Sequence, residues 1–278
     1  MDLTHINRND LLQIFNNSRF YLRHYAKGTY PYQRREYKAM PVNRLFFPLQ
    51  NPNGDSNLIA DHQNSYPMVP GRFHFIPAYL PVIFLLDNEL QFLSIHTNLD
   101  IFPGVELFSA CQRMLEMPQP PEFQELLELF SASDHNFLAA AKVGSLAFSL
   151  MAKLIAMYDE DDFQGPLSLK QYMHLTDYLL KKGDAQTSVS ELAAICGESR
   201  ECFTRHFKER TGLTPKQLID RVIIGRCLEM LQNGRSSKEI ASLMNFSSEY
   251  VFSRYFKRNI NESPRQWMHK KPVTPKNW

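Results

Sequence analysis

The 278 residues include only four cysteines, Cys111, Cys196, Cys202 and Cys227, and no C-x-x-C pair. A small disulfide-stapled protein is excluded, and the four read as small, reduced interior residues. No long uncharged apolar run occurs either. The most apolar window, 139–158, is interrupted by Lys142 and Lys153. A membrane span takes ~20 mostly uncharged residues, so this window predicts a buried helix and no membrane partner. The opening MDLTHINRND lacks the basic-then-apolar layout of a secretion signal, and the expected compartment is the cytoplasm. His5, His24, His62, His74, His96 and His135 fall in the first half without any H-x-H pair. No Ser/His/Asp signature and no phosphate-cradling Gly loop is present. Neither a metal, a cofactor nor catalysis is therefore expected.

What is there is enough apolar material for real cores. Hydrophobic residues make up 44%, aromatic 12% and charged 22%, which excludes a wholly disordered chain. The length suggests two domains. The net charge of +2 hides a division. Residues 1–165 hold 12 Lys and Arg against 18 Asp and Glu, a balance of −6; residues 166–278 hold 19 against 11, a balance of +8. A basic end beside an acidic remainder suits a polyanion-binding module joined to something else, although many basic patches are only solvated surface.

Residues 1–101 are rich in aromatics, Pro and Asn. Pro41, Pro48, Pro52, Pro67, Pro70, Pro77 and Pro81 break the stretch every few residues. Proline removes a donor and fixes φ, so short strands and turns are predicted, closed as a small β-barrel or sandwich. Residues 103–158 read as helices. Leu138, Leu146, Leu150, Leu154 and Met157 form a stripe on a helix over 136–158. The helix is apolar over much of its circumference, which points to a partner helix or a second subunit at Leu146, Leu150 and Leu154; core packing is the plainer alternative.

The strongest signal is an internal repeat. Residues 188–218, SVSELAAICGESRECFTRHFKERTGLTPKQL, recur as 236–267, SSKEIASLMNFSSEYVFSRYFKRNINESPRQW. Glu191-Leu192-Ala193 aligns with Glu239-Ile240-Ala241. One extra residue later, Phe203, Arg205, Phe207 and Lys208 align with Phe252, Arg254, Phe256 and Lys257. Each copy predicts a helix-turn-helix. Ser188 with Glu191, and Ser236 with Glu239, have capping-box spacing. Leu192 with Ile195, and Ile240 with Leu243, are expected on one apolar face. Phe203 and Phe207, and Phe252 and Phe256, each make an i, i+4 buried pair.

The opposite face of the second helix carries Arg200, Glu201, Thr204, Arg205 and Lys208 in the first copy. In the second it carries Ser248, Glu249, Tyr250, Ser253, Arg254 and Lys257. One such helix could be a solvated surface; two in a basic domain fit double-stranded DNA. Arg200, Glu201, Thr204, Arg205, Glu249, Tyr250, Ser253 and Arg254 are the base-reading candidates. Lys208, Lys257, Arg258 and Arg265 are the phosphate candidates. Thr214 and Pro215 open a long helix between the copies, and Gly234 follows its end. Nineteen residues give roughly 28 Å at ~1.5 Å each, near the ~34 Å between successive major-groove faces.

These E-[LI]-A helices, F-x-R-x-F-K helices, [TS]-P ends and the linking helix resemble the AraC/XylS family of bacterial transcription regulators over about 168–270. Val69-Pro-Gly-Arg-Phe-His-Phe-Ile-Pro and Ser94-Ile-His96 resemble strands of the cupin-like sensor half of that family, and the helices after Pro103 its dimerisation segment. The resemblance implies an α+β chain: a cupin-like, ligand-sensing and dimerising domain over 1–160, a linker over 161–167, and an all-α DNA-binding domain over 168–272. The motifs fall at about 188–209 and 236–259. It also implies a homodimer, a sugar or related metabolite as effector, and RNA polymerase as a further partner. A regulator that binds DNA constitutively, with a first half for dimerisation or protein contacts, is the other reading. Arg44, Arg72, His74, Tyr79 and His96 are the pocket candidates, because polar groups among apolar strands fix a ligand's orientation. The chain departs from the family pattern at Asn245 (usually Gly), at Asn261 (Gly), at Ile223 (Arg), at Cys227 (Ala) and at Met268 (Arg). Asparagine tolerates positive φ, so the turns at Asn245 and Asn261 are expected to survive.

Overall fold

The computed structural model describes residues 8–29, 32–102, 104–131 and 137–268. In chain order α1 (Arg8–Asn17) precedes ten strands: β1 (Arg19–Thr29), β2 (Tyr32–Lys38), β3 (Asn43–Gln50), β4 (Leu58–Ala60), β5 (Ser65–Pro67), β6 (Arg72–Ile76), β7 (Val82–Leu86), β8 (Gln91–Phe102), β9 (Val105–Glu106) and β10 (Leu115–Pro118). Helices follow: α2 (Phe123–Ser131), α3 (Phe137–Ile155), α4 (Asp161–Ser168), α5 (Met173–Lys182), α6 (Val189–Ile195), α7 (Arg200–Thr211), α8 (Pro215–Gln232), α9 (Ser237–Leu243), α10 (Glu249–Ile260) and α11 (Pro264–Met268). The described residues form two units. The β-rich unit holds Phe20–Leu99 and Cys111–Asp159. Among the described residues, the helical unit holds 8–19, Asp100–Ala110 and 160–268.

In the β-rich unit one sheet runs β1-β8-β3-β6-β10, with β9 added to the end of β8, and the other runs β2-β7-β4-β5. Side chains alternate across a strand, so each sheet offers two faces. Phe46, Ile76 and Phe92 of the first sheet meet Ile59, Val82, Phe84 and Leu86 of the second in one apolar interior. The other face of the first sheet is covered by helices. Phe47 stacks on Phe73 at 5.3 Å and on Phe123 of α2 at 5.4 Å, and Phe20 meets Phe148 of α3 edge-on at 5.3 Å. This double coverage explains the unbroken burial of Asn43–Pro48 in β3. Near the end of the strand the register with β8 shifts between Pro48 and Gln50, where proline cannot donate to the ladder.

The stripe of α3 belongs to this packing. By length and apolarity α3 could cross a membrane, yet Val143, Ala147, Leu150, Met151 and Leu154 are buried inside the unit. Leu150 and Leu154, expected at a subunit interface, are each 1% exposed within a single chain, and Leu146 is half-buried. The sheet's outer face needs an apolar cover, and this helix supplies it. The solvent side instead holds Ala141, Lys142, Ser145, Ala152 and Lys153.

In the helical unit, α4 occupies the stretch expected as a linker. Its Phe163 is buried and meets Phe108, on the short 3-10 turn Leu107–Ala110, at 5.7 Å. Gly104 lies against α8: a Cβ there would stand 2.9 Å from the backbone nitrogen of Val222, and its φ of +73° is left-handed. Only glycine fits such an approach. Under the first motif, Tyr172 packs on Phe207 at 4.8 Å, with Leu175 and Leu179 buried beside it.

Candidate nucleic-acid interface and barrel interior

Local chemistry builds the two motifs almost identically. The Ser188–Glu191 and Ser236–Glu239 capping boxes start α6 and α9, and a Thr214–Gln217 box starts α8 with Pro215 at its first position. Ser199 and Ser248 cap α7 and α10 by accepting from Cys202 N–H and Val251 N–H. Phe203, Phe207, Phe252 and Phe256 are fully buried. So are Leu192 and Ile240, but Ile195 and Leu243, expected beside them, are 41% and 56% exposed. Each is the last residue of a seven-residue helix.

The turns differ. Gly197, with φ +68°, closes the first, and Asn245, with φ +52°, closes the second. Asn245 adds what glycine lacks: its amide donates to Asp184 Oδ2 at 2.6 Å. Asn261 ends α10 in the left-handed region at φ 64°, where Gly212 ends α7. Asparagine thus serves at both departures from glycine. Ile223 and Cys227 are buried on α8, so these two departures are core packing; burial raises the Cys227 thiol pKa to about 12.

The polar faces are open to solvent. Arg200, Glu201, Arg205 and Lys208 on α7, and Glu249, Tyr250, Arg254, Lys257 and Arg258 on α10, are exposed; Thr204 and Ser253 are half-buried, and Arg265 on α11 is exposed. Thr204 donates its hydroxyl proton to the Arg200 carbonyl at 2.7 Å, a bond within its own helix. The Arg254 guanidinium lies 5.8 Å from the Tyr250 ring centre. The linking helix has 18 residues, about 27 Å of rise.

Sequence reasoning missed the groups that brace these helices. Tyr255 donates its hydroxyl to Asp220 Oδ1 at 2.7 Å, and Lys216 sits 3.0 Å from the same oxygen. Burial first, and then Asp220, push the Tyr255 hydroxyl pKa upward. In the first copy His206 pairs instead with Glu198 at 2.8 Å. The residue at Tyr255 in one copy and His206 in the other was the only available signal.

In the β-rich unit the register places Arg44 opposite both His96 and Ile76, and Phe46 opposite both Ser94 and His74. Arg44, His74, His96 and Ser94 therefore share the inward face with Phe46 and Ile76. The Arg44 guanidinium lies 5.3 Å from the Phe84 ring centre across the interior. His74 is fully buried with neither ring nitrogen hydrogen-bonded, and the buried Ser94 hydroxyl has no partner. Burial lowers the His74 pKa to about 4, so the ring is neutral near pH 7. The other two pocket candidates lie apart. Arg72 pairs with Glu116 at 2.8 Å, and Tyr79 occupies a turn at φ 65°, its N–H donating to the Met40 carbonyl. Ser94 was missed because alternation is hard to follow through so many prolines.

The Helix-turn-helix domain family matches residues 178–270. The chain is 27% identical over 133 residues to the HTH-type transcriptional regulator MtrA of Neisseria gonorrhoeae, covering 45% of this chain and 44% of that protein. It is 24% identical over 141 residues to LumQ of Photobacterium leiognathi, described as a probable transcriptional regulator, covering 50% and 55%. The chain thus spans about half the length of the curated relatives it matches. The fold is similar to that of ToxT from Vibrio cholerae. The TM-score is 0.55 at 12% identity for an apo form, covering 93% of this chain and 98% of that one. It is 0.53 at 13% identity for a form with unsaturated fatty acid bound, covering 90% and 94%. At these identities the likeness to ToxT is one of fold.

The fold and the paired motifs define a two-part chain, a β-rich half followed by a double helix-turn-helix half. Over residues 178–270 the paired motifs are of the AraC type, similar to those of transcription regulators.

Proposed function

We propose that this chain is a sequence-specific DNA-binding transcription regulator whose β-rich unit responds to a small molecule. The observation that carries the first part is the pair of capped helices, α7 and α10, each buried on a Phe-Phe pair and exposing an arginine at the same repeat position, Arg205 and Arg254. Exposed arginine can bond guanine bidentately in a major groove. The second part is supported by Arg44, His74, Ser94 and His96 on the inward face of the sheet. The bound fatty acid in the ToxT neighbour lends it further support. The reading is of a regulator and not an enzyme, acting in the cytoplasm as a homodimer, with RNA polymerase as a further partner. Two copies grip paired sites better than one. With Leu150 and Leu154 inside the unit, exposed Phe137 and Leu138 are the large apolar residues of α3 left for a partner copy.

Selection of duplexes from a random library by the full chain tests the DNA reading. Enrichment of a motif with two half-sites about 10 base pairs apart is expected. Recovery of unenriched sequence, or no binding at low salt, overturns it. A thermal-shift screen of sugars, carboxylates and fatty acids tests the effector. A cognate compound stabilises the chain and changes operator affinity, and reciprocity requires DNA to change that compound's affinity equally. A tight ligand whose affinity is the same with and without operator favours the constitutive reading.

A further inference from the structure

Beside the second motif lies an open cleft of about 770 Å³ whose wall is only partly made by that motif. Arg254, Lys257 and Arg258 of α10 line one side, Ser247 lies in the turn, and Lys216 of α8 and Gln186 of the preceding loop complete it. Four of the lining residues are cations and none is acidic.

We propose that this cleft holds the DNA backbone beside the groove that α10 enters, with Lys216 and Gln186 contacting phosphate from outside the motif. The inference rests on the DNA-binding reading and adds two residues to it. The geometry holds Lys216 ready. Its ammonium is 3.0 Å from Asp220 Oδ1, while its side chain stays 53% exposed. Asp220 also accepts from Tyr255, so α8 and α10 are tied together beneath the cleft and its walls are fixed. Gln186 is held by its side-chain amide, which donates to the Asn245 carbonyl at 3.1 Å. That amide keeps a second N–H for an acceptor.

The repeat supplies independent support. Pro215-Lys216 is the first-copy equivalent of Pro264-Arg265, so a cation recurs one residue after each closing proline. The first motif lacks the matching cleft chemistry. Glu209 stands where Arg258 does, and His206 holds Glu198 where Tyr255 holds Asp220. The first motif thus carries the carboxylates Glu209 and Glu198 on the helix and turn that correspond to the cleft wall. The second motif therefore clamps backbone on a side where the first does not.

The experiment measures binding of the full chain to a mixed-sequence duplex of about 30 base pairs as salt is raised. Lys216→Gln should lower the steepness of log affinity against log salt by about 0.9, the share of one phosphate contact. Between about 50 and 200 mM salt the loss of affinity should then be about threefold smaller than in wild type. Lys216→Arg should restore the slope. Asp220→Asn frees the Lys216 ammonium and should tighten binding. If the ion pair acted only in folding, both Lys216→Gln and Asp220→Asn would weaken binding and lower the melting temperature together; that result overturns the proposal. An unchanged slope in Lys216→Gln also overturns it, leaving the cleft to an acidic protein surface. Failure of the wild-type chain to bind any duplex at low salt overturns the DNA-binding reading itself, and this site with it.

Discussion

The two units handle polar groups in opposite ways. In the helical unit charged and polar side chains of α7 and α10 face outward, and the interior under them is aromatic and aliphatic. In the β-rich unit a row of polar side chains faces inward: His74 and Ser94 lie about 10 Å apart across three strands, with Phe46 between them. An outward polar face costs little, because water satisfies it until a partner replaces the water. An inward one leaves donors and acceptors unpaired, at roughly 1–3 kcal/mol each. The helical unit is thus a complete fold whose function is an addition to its surface. The β-rich unit carries an unmet demand inside its fold, and a ligand with hydrogen-bonding groups would meet it.

The largest effect should come from the aromatic interior of the helical unit. Phe203→Ala and Phe252→Ala should each cost about 3–5 kcal/mol of stability, read by denaturant unfolding. Near-equal losses would show that the two copies rest on equivalent cores; a loss under about 1 kcal/mol in either would break that equivalence.

His74 gives the next effect, on the order of 3 kcal/mol. Its folded pKa, about 4, lies below the unfolded 6.5. The linked stability is therefore fully present above about pH 6.5 and is lost as pH falls toward 4. His74→Leu should flatten that acid dependence and leave stability at pH 7 equal or higher, because an unpaired polar group is removed. Destabilisation of His74→Leu at pH 7 would mean that the ring is satisfied after all, and the contrast between the units would weaken.

Arg205→Ala and Arg254→Ala should each remove roughly 1–3 kcal/mol of discrimination between a selected site and mixed sequence. A loss shared equally by both DNAs would make these arginines phosphate contacts. The smallest change concerns Asn245. Asn245→Ala should cost about 1–2 kcal/mol, because the left-handed φ is strained for alanine and the bond to Asp184 is lost. Asn245→Gly should cost less, since only the bond goes. Thermal unfolding of the two variants side by side gives the order.

Much of the helical unit was readable because its determinants are local. A serine three residues before a glutamate, a proline after a threonine, and paired phenylalanines four apart specify caps and faces without long-range knowledge, and the repeat stated each twice. The β-rich unit depends on which strands become neighbours. Arg44 and His74 could be suspected as pocket residues, but Ser94 becomes their neighbour only through the β3–β8 register. Leu150 and Leu154 looked like an interface because the strands that α3 packs on, through Phe20, Leu22 and Thr97, lie more than fifty residues away in the sequence. The acidic run 159–162 looked like a linker because Phe163, which anchors α4, finds its partner Phe108 over fifty residues earlier. Gln186 drew no notice because it precedes the first repeat copy, and Lys216, though the repeat equivalent of Arg265, because it opens the linking helix after the first motif.

The close approach of Gly104 to α8, and of Phe108 to Phe163, has a practical meaning for proteolysis. The helical unit is discontinuous: the backbone passes between the units at 19–20, 99–100, 110–111 and 159–160. One nick at 159–160 does not release it whole, because Asp100–Ala110 remains on the other fragment. A protease that cuts there should yield two pieces that still travel together on a sizing column. Gly104→Val, which drives a branched side chain into the Val222 backbone, is the change that should let them part.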